Sequence, residues 1–587
     1  MDDTIIESRQ ELMVSPSSGG NKTLRTAHFL KPFIKDSQQQ IPHFPIFSQT
    51  TTTKLPLQVT YNGWRPPHEE WKKWVRKLEP KFESLWIKAG IYHAIKASTY
   101  EIKRDDDLIL ELANRWCSKT NTFVFNWGEA TITLEDTKVC FGYSVLGCSV
   151  STPLLNSEKE AEEALIEARR MFNSSRARKV TQRPWMMFFM ENESKVEHEA
   201  FLVFWLSRFV FPFETISKSV FPIAIHLAHG DKIALAPAVL ASVYRDLSLL
   251  SGIINKNVTS LKNLRVTLWA PFQLVQIWAF ERFPSLMPPY PYSKGHDLPK
   301  VARWGEVKMM KDINLKKVLD CAGLKNGFLW QPYENSPCIE VYNGKDKWKC
   351  DNPCLDEELL SFVRCLRVCE LVGMGSCKEK YFPHRVAMQF GMDQDIPDMV
   401  DFCKTDPWLS YTKPMAIVDI KLCFQLCSST PGVSSRYYDW WKQSKSGEEG
   451  EDLIKCEESY GPTPGFSFKF ERRQMVDLDK EDDLLVCELS SCSDDELEVV
   501  GNLNASSSHQ FGDFISTNSG DEIAGCNDEN EIKSPFCDRN SVNDTKEESV
   551  SSFTLDMALD LENRIQKLEK VFGKLKEERF GSRVESV

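Results

Sequence analysis

The segment AFLVFWLSRFVFPF, residues 200–213, is apolar at nearly every position, and Arg208 is its one charged residue. It is too short to cross a bilayer, which takes about 20 apolar residues. A helix that is apolar on all sides has to be covered by other parts of a protein. The chain has 587 residues and 16 tryptophans, so it is long enough to supply that cover. The segment therefore predicts a large, mainly helical core.

The segment WKKWVRK, residues 71–77, follows Pro66 and Pro67 and combines aromatic with basic side chains. Such a mixture can suit a nucleic-acid surface. The helical period places the two kinds on opposite faces, namely Trp71, Trp74, Val75 and Leu78 against Lys72, Lys73, Arg76 and Lys77. This separation favours the simpler interpretation, a helix with one buried face and one solvated face.

Further helical patterns follow, with few strand patterns. Apolar spacing and initial carboxylates predict helices over 105–117, 157–172 and 195–211. The convincing strand is TFVFNW, residues 122–127, and KVTQRPWMMFF, residues 179–189, is a weaker candidate. We therefore predict a mainly α fold, of the α+β kind with a few short strands.

Composition divides the chain into four parts. Residues 1–58 are rich in Ser, Thr, Gln and Pro and are predicted to be mostly disordered. The ordered body covers 59–442. Residues 443–552 form an acidic, Ser-rich segment that is also predicted to be disordered. In 553–582 apolar residues recur at steps of three and four, which predicts a short coiled-coil or amphipathic helix.

The net charge and the N-terminal sequence bear on where the protein is located in the cell and on what it binds. The net charge of −12 combines −18 over residues 443–552 with +6 over residues 1–442. A mildly basic body permits contact with nucleic acid without requiring it. MDDTIIESRQ lacks the apolar core of a secretory signal, and no run of eighteen uncharged apolar residues occurs. We therefore expect an intracellular protein without a membrane partner, whose 18 cysteines are mostly reduced thiols.

Cysteines at i and i+4 are the first candidates for metal binding. They occur three times, as Cys350/Cys354, Cys365/Cys369 and Cys423/Cys427. Two such pairs on helices could hold zinc. No paired CxxC spacing accompanies them, and free cysteine is often a small buried hydrophobic residue. Packing is the favoured interpretation.

His384 and Arg385 lie near Asp393 and Asp395 in the sequence, and a histidine oriented by a carboxylate can act as a general base. No nucleophile elbow, HExxH, phosphate-binding loop or dinucleotide fingerprint accompanies them. A structural network of ion pairs is the favoured interpretation.

The stretch WGEATITLEDTKVCFGYSVLG, residues 127–147, contains three carboxylates, Glu129, Glu135 and Asp136. Thr133 and Asp136 have the spacing of a helical capping box, with Asp as a shorter variant of the usual Glu or Gln. Glu135 would lie in the first helical turn, where negative charge is favourable. Gly142 or Gly147 can end the helix. These acids are predicted to shape a strand, a turn and a capped helix rather than to carry chemistry.

The longer stretch LILELANRWCSKTNTFVFNWGEATITLEDTKVCFGYSVLG, residues 108–147, resembles the signature block of the plant mobile domain, also called the aminotransferase-like plant mobile domain. Later blocks agree in order, namely AFLVFWLSRFVFP (200–212), LVQIWAFERFP (274–284), PHRVAMQFGMDQDIP (383–397) and YYDWWK (437–442). Thr137-Lys138 and Cys140-Phe141 depart from the usual small apolar and Leu-Leu pairs. We refer to residues 108–147 as the signature block.

The resemblance implies a mostly helical domain of plant nuclear proteins similar to MAINTENANCE OF MERISTEMS proteins. Members are associated with meristem maintenance, genome integrity and transposon silencing, and some are fused to a serine/threonine phosphatase. The motifs of that phosphatase are absent from this sequence. The label "aminotransferase-like" does not imply pyridoxal phosphate, because no Schiff-base lysine with a phosphate-binding partner is identifiable.

We therefore expect a non-enzymatic nuclear protein that acts in meristem maintenance, development, genome stability or silencing by binding nuclear proteins, chromatin or nucleic acid. No catalytic, cofactor-binding or metal-binding residues are assigned, and no cofactor is expected. One alternative is a transposon-derived enzyme for phosphoryl transfer whose carboxylates, Asp105, Glu129 and Asp393, hold magnesium. A second alternative is a structural adaptor that self-associates through the C-terminal helix.

Overall fold

A computed structural model provides the structure of this chain. It describes residues 5–16, 21–34, 57–173, 180–255, 264–287, 298–305, 307, 313–321, 327–333, 357–400, 402, 406–413, 431–445 and 486–487. Apart from 443–445 and 486–487, the predicted acidic segment lies outside the described residues, and so does the whole of the predicted C-terminal helix.

Helices dominate the described residues, which confirms the prediction of a mainly α fold with a few short strands. The α-helices are α1 (Glu69–Lys88), α2 (Tyr92–Ala97), α3 (Asp106–Ala113), α4 (Leu134–Phe141), α5 (Lys159–Asn173), α6 (Gln182–Glu191), α7 (Glu197–Trp205), α8 (Phe221–Ala228), α9 (Leu235–Ile254), α10 (Gln273–Arg282), α11 (Leu315–Cys321), α12 (Glu357–Cys365), α13 (Pro407–Thr412) and α14 (Ser435–Lys445). A π-helical turn, Leu206–Val210, continues α7, and short 3-10 helices cover Asn156–Glu158, Lys218–Val220, Pro284–Leu286, Lys300–Trp304 and Pro383–Phe390.

The strands are short and form small sheets. They are β1 (Ile6–Val14), β2 (Thr23–Leu30), β3 (Leu57–Tyr61), β4 (Trp116–Cys117), β5 (Thr122–Phe125), β6 (Gly128–Ala130), β7 (Leu264–Leu268), β8 (Cys369–Val372), β9 (Lys378–Tyr381), β10 (Val433–Ser434) and β11 (Val486–Cys487). Their orders are β10-β1-β2, β11-β7-β3, β4-β5-β6 and β8-β9. The strand predicted at 122–127 is confirmed as β5, whereas the weaker candidate at 179–189 lies largely within helix α6.

Helices α1 and α7 pack through aromatic rings and form one side of the core. The Trp71 ring stacks on Phe201 with 4.7 Å between centroids, and Trp86 stacks on the same ring at 5.4 Å. The predicted apolar face of α1 is buried, and α7 is buried from Ala200 to Trp205. The amphipathic helix at 71–77 and the buried apolar segment near 200 are therefore both confirmed.

Helix α9 is the one helix among the described residues that is long and apolar enough to cross a bilayer. In this fold 72% of its apolar window is buried inside the protein. Tyr244 illustrates this position, because its hydroxyl donates to the carbonyl of Ile132 at 2.6 Å within the core. Helix α9 is therefore a central helix of the fold, covered by other parts of the chain.

An N-terminal hairpin corrects the prediction that residues 1–58 are mostly disordered. Strands β1 and β2 pair antiparallel from Ile6 opposite Leu30 to Met13 opposite Thr23, and β1 also pairs with β10. The Arg9 guanidinium lies over the rings of both Phe29 and Phe33, 4.5 Å from each centroid. Strand β10 comprises residues 433–434. The hairpin is thus joined to residues far along the chain.

We predict that removing residues 1–34 from the full chain lowers its free energy of unfolding by at least about 3 kcal/mol. The buried carboxylates of Asp393 and Asp395 lose their partners Arg25 and Arg9, and several buried apolar side chains are lost as well. Thermal and urea unfolding would measure the change. Lys22→Gln, at an ion pair whose side chains are both more than half exposed, is the control and should change stability by less than about 0.5 kcal/mol. Equal stability of the shortened and full chains would contradict the prediction.

Candidate functional site

The capping box at the start of α4 forms as predicted. The Asp136 N–H donates to Thr133 Oγ1 at 3.2 Å, and the Thr133 N–H donates to Asp136 Oδ2 at 2.7 Å. Gly142 ends the helix with φ of +74°, a left-handed conformation that glycine adopts without a Cβ clash. The acids at 135 and 136 therefore lie in the first turn of a capped helix.

The other oxygen of Asp136 forms a buried ion pair that the sequence did not indicate. Arg282, at the end of α10, donates to Asp136 Oδ1 from Nη2 at 2.7 Å, and the Tyr333 hydroxyl donates to the same oxygen at 2.7 Å. Both side chains of the ion pair are fully buried. Burial alone would lower the pKa of Arg282, but Asp136 and Tyr333 raise it above its usual value. One carboxylate thus caps a helix and joins three parts of the chain.

Glu129, on β6, forms a second buried ion pair. Arg385 donates from Nε and Nη2 to the two carboxylate oxygens at 3.0 and 2.8 Å, which is a bidentate arrangement. The Thr122 hydroxyl also donates to Glu129 Oε1 at 2.7 Å. The carboxylate is 2% exposed, so neither oxygen faces a solvent-filled cleft. The pair connects the signature block to the segment 383–397.

Asp393 binds the N-terminal hairpin. Its carboxylate accepts from Arg25 Nη1 at 2.9 Å and from the backbone N–H groups of His28 and Gly432 at 3.0 and 2.9 Å.

Asp395 is enclosed in the same way. It pairs with Arg9 and Arg436, and its Oδ1 accepts from the Ser434 hydroxyl at 2.7 Å. Arg9 lies in β1 and Arg436 lies in α14, so the two arginines are far apart in the sequence. The two aspartates therefore hold the hairpin against the C-terminal end of the described body.

His384 is not brought together with either aspartate. Its Nε2 lies 3.2 Å from the carbonyl oxygen of Asp398, and its Nδ1 is buried without a hydrogen-bond partner. Burial and the neighbouring Arg385 lower the pKa of His384 to about 3, so the ring is neutral near pH 7. The surrounding groups form the structural ion-pair network that the sequence favoured.

Three carboxylates would hold magnesium if the chain were an enzyme for phosphoryl transfer, and each of them takes part in a separate interaction. Asp105 caps α3 by accepting from the Leu108 N–H at 3.0 Å, while Glu129 and Asp393 are engaged by arginines. Among the described residues these acids do not form a cluster with ligand atoms close enough to share one ion.

The structure describes one of the three cysteine pairs, Cys365/Cys369. The other two, Cys350/Cys354 and Cys423/Cys427, lie outside the described residues. Cys365 ends α12 and Cys369 lies in β8, so this pair does not share a helical face. Both thiols are buried and neither is in a disulfide, and Cys365 Sγ donates to the Ser361 carbonyl at 3.2 Å. Burial raises the pKa of Cys369 to about 12, which keeps it protonated. The favoured interpretation, packing in the core, fits this pair.

One cluster of possible metal ligands was missed by sequence analysis. Among the described residues, one group of three His, Cys, Asp or Glu side chains places its ligand atoms within 4.8 Å of one another, and it consists of Glu158, His226 and Asp231. The available signal was HLAHGD, residues 226–231, in which two histidines and an acid follow one another at the end of a helix. The distant Glu158 could not be assigned to it from spacing.

Glu135 differs from its neighbours because it is buried without an arginine partner. Burial and then the adjacent Asp136 raise the pKa of Glu135 to about 8. The sequence predicted an acid in the first helical turn, where negative charge is favourable, and the residue there is only 5% exposed. It is therefore largely protonated at neutral pH.

Comparison with known proteins identifies the family. The plant mobile domain matches residues 90–442, more than half of the chain. Protein MAIN-LIKE 2 of Arabidopsis thaliana is 25% identical over 339 residues, which are 55% of this chain and 46% of the relative. Serine/threonine-protein phosphatase 7 long form homolog of Arabidopsis thaliana is 24% identical over 357 residues, 55% of this chain and 24% of the relative. The matches thus span less than half of each relative. No solved structure matches significantly.

We predict that Arg282→Met lowers the free energy of unfolding by about 3–5 kcal/mol, because it leaves the Asp136 carboxylate buried without its ionic partner. Denaturant unfolding of the full chain would measure the loss. Arg170→Met, which removes one partner of a largely exposed ion pair with Glu167, is the matched control and should cost less than about 1 kcal/mol. Similar losses in the two variants would contradict the assigned importance of burial.

We predict that Glu135→Gln stabilises the protein at alkaline pH. The folded-state pKa of about 8 exceeds the ordinary value of 4.5, so wild-type stability falls as pH rises between these values. The glutamine variant avoids this loss and should be more stable by about 1–3 kcal/mol at pH 9, with little difference near pH 4. Unfolding measured across pH, with the exposed Glu101→Gln as control, tests this. Parallel curves for wild type and variant would exclude the proposed titration.

Proposed function

This chain belongs to the plant mobile domain family, and we propose that it is a non-enzymatic nuclear binding protein. The observation that carries the proposal is the engagement of the acids in and near the signature block. Glu129 and Asp136 are each paired with a buried arginine, and Asp393 is enclosed by Arg25 and two backbone N–H groups. Their role is to hold the helical body together.

Catalysis would require a different environment for these acids. A metal-dependent enzyme for phosphoryl transfer needs converging carboxylates with room for substrate, and a general base needs access to the proton that it removes. Glu129 instead has both oxygens bound by Arg385, and His384 is buried and neutral. These features support the binding hypothesis over the enzyme alternative.

The surface of α1 bears on the kind of partner. Two of its cations lie beside carboxylates, with Lys72 Nζ 2.8 Å from Glu69 and Lys77 Nζ 2.6 Å from Glu197, and Arg76 donates to the Lys72 carbonyl. Phosphate backbones favour unshared basic groups, since each neighbouring carboxylate repels the phosphate. A surface of alternating charge is better matched to another protein. We therefore propose a nuclear protein as the first partner, with chromatin or nucleic acid second.

The biological role extends the same proposal. The similarity to MAIN-LIKE 2 supports a role of the meristem-maintenance type, in development, genome stability or silencing of genes and transposons. The matched region is less than half of that relative. We therefore base the proposed role on the family membership together with the proposed binding function of the helical body.

We predict that the purified full chain does not cleave or join single- or double-stranded DNA or RNA in the presence of Mg²⁺ or Mn²⁺. In plant cells a fluorescent fusion of the same chain should accumulate in the nucleus, and crosslinking there should recover proteins in preference to nucleic acid. Labelled substrates, microscopy and mass spectrometry provide the three measurements.

Variants make the enzymatic test decisive. If the wild type cleaves nucleic acid, and if Glu129→Gln or Asp105→Asn abolishes cleavage while the far-ultraviolet circular dichroism is unchanged, the non-enzymatic proposal is wrong. A nuclear protein that crosslinks mainly to nucleic acid would overturn the preference for a protein partner.

A further inference from the structure

We propose that Glu158, His226 and Asp231 form a zinc-binding site, which goes beyond the proposed binding function. The site lies where the end of α8 meets the turn that precedes α5. His226 Nδ1 lies 3.3 Å from Asp231 Oδ2 and 3.5 Å from Glu158 Oε1. His229 Nδ1 lies 3.2 Å from the same oxygen of Glu158.

These separations match the size of a four-coordinate zinc ion. Zinc binds histidine nitrogen and carboxylate oxygen at about 2.0–2.1 Å, so neighbouring ligands of a tetrahedral site lie about 3.3–3.4 Å apart. The separations among the Glu158, His226 and Asp231 ligand atoms are all within 4.8 Å. Three protein ligands leave the fourth position of the ion to a water molecule. His229, whose side chain is 48% exposed, borders the site through its contact with Glu158 Oε1.

The hydrogen bonds of His226 give an independent reason for a cation. Its Nε2 lies 3.3 Å from the Pro153 carbonyl oxygen, while its Nδ1 faces two carboxylate oxygens. A neutral imidazole has one N–H, so either tautomer directs a lone pair at an acceptor. Either a proton or a metal at Nδ1 resolves the conflict, and in both cases Nε2 carries a proton and donates to Pro153. A carbonyl that holds the second nitrogen is the usual support of a metal-binding histidine.

The orientation of the Glu158 carboxylate is also fixed by a hydrogen bond. Its Oε2 accepts from the Leu155 N–H at 2.7 Å, which leaves Oε1 directed towards the histidines. The charged carboxylate is therefore fixed in the orientation that a metal requires.

The backbone at the end of α8 places the Asp231 side chain beside His226. Gly230 has φ of +81°, a left-handed conformation, and the Asp231 N–H donates to the His226 carbonyl at 3.0 Å. This turn brings the Asp231 side chain back beside His226. The carbonyl end of a helix also favours positive charge. Two carboxylates balance the charge of one divalent ion, and the Asp231 side chain, 52% exposed, lies on the entry path from solvent.

The site would join two elements rather than activate a substrate. Cys148 already bonds to Lys232 and Ala234 through backbone hydrogen bonds of 2.8 and 2.9 Å. A zinc ion a few residues further along would fix the same crossing by adding ligands from the start of α5 and the end of α8. Its loss should therefore loosen this side of the helical body without removing the buried ion pairs.

The test uses the full chain after treatment with EDTA and dialysis, with Zn²⁺ and Co²⁺ as probes. Wild type and the control Glu160→Gln, an exposed acid of α5, should bind Zn²⁺ with equal affinity in competition with a chromophoric chelator. Asp231→Asn and His226→Gln should weaken that binding at least about tenfold. Because Asp231 is half exposed, its variant serves if His226→Gln fails to fold.

Spectra separate this site from the cysteines. Bound Co²⁺ should give the visible absorption of a four-coordinate nitrogen and oxygen site, lost in Asp231→Asn, whereas cysteine ligation gives thiolate charge-transfer bands in the near ultraviolet. Zn²⁺ should raise the unfolding temperature of wild type and Glu160→Gln but not of Asp231→Asn. Equal Zn²⁺ affinity in all four proteins, metal bound by thiolates alone, or a protonated His226 without any zinc response would each overturn the proposal.

Discussion

The pairing of Asp136 with Arg282 is the interaction on which the arrangement of the helical body depends. The carboxylate accepts from the N–H of Thr133, the N-cap residue of α4, with one oxygen and binds the guanidinium with the other. Arg282 in turn donates to the carbonyl of Trp330 at 2.7 Å. Because a helix start, a helix end and a later loop meet at one charged pair, a shift of any of them would leave a buried charge unpaired. The free energy lost by leaving that charge unpaired is larger than the free energy that most apolar repacking could recover.

The other buried pairs apply the same constraint at greater separation along the chain. Glu129 and Arg385 are 256 residues apart, and Arg9 and Asp395 are 386 residues apart. Apolar contacts are tolerant of sliding, whereas a bidentate arginine has one geometry. The aromatic core around Trp71 and Phe201 supplies the burial, and the ion pairs select which segments come together. This division of roles explains why so many acids of the signature block are structural.

Sequence reasoning predicted local structure well where a pattern repeats within one element. The faces of α1, the buried α7, strand β5 and the capping box at Thr133 all follow from spacing or from cap chemistry. It could not predict the arginine partners, since nothing local connects Glu129 to position 385. The assignment of 179–189 as a weak strand failed because aromatic and thioether side chains suit either element. The segment is a helix that contacts α7, where Trp185 Nε1 donates to the Ala200 carbonyl at 3.0 Å.

The N-terminal hairpin shows most clearly what composition conceals. Strand β1 alternates half-buried Glu7, Arg9 and Glu11 with exposed residues, so the usual apolar period of a strand is absent. Its inward positions are stabilised by charge, because Arg9 contacts two phenylalanine rings and Asp395 at once. A polar segment can therefore be ordered when its cations meet acids that the rest of the fold has already buried. Asp393, Asp395 and the hairpin stabilise each other. Without the hairpin the aspartates lose cationic partners, and without the aspartates the hairpin is held mainly by its pairing with β10 and its buried apolar side chains.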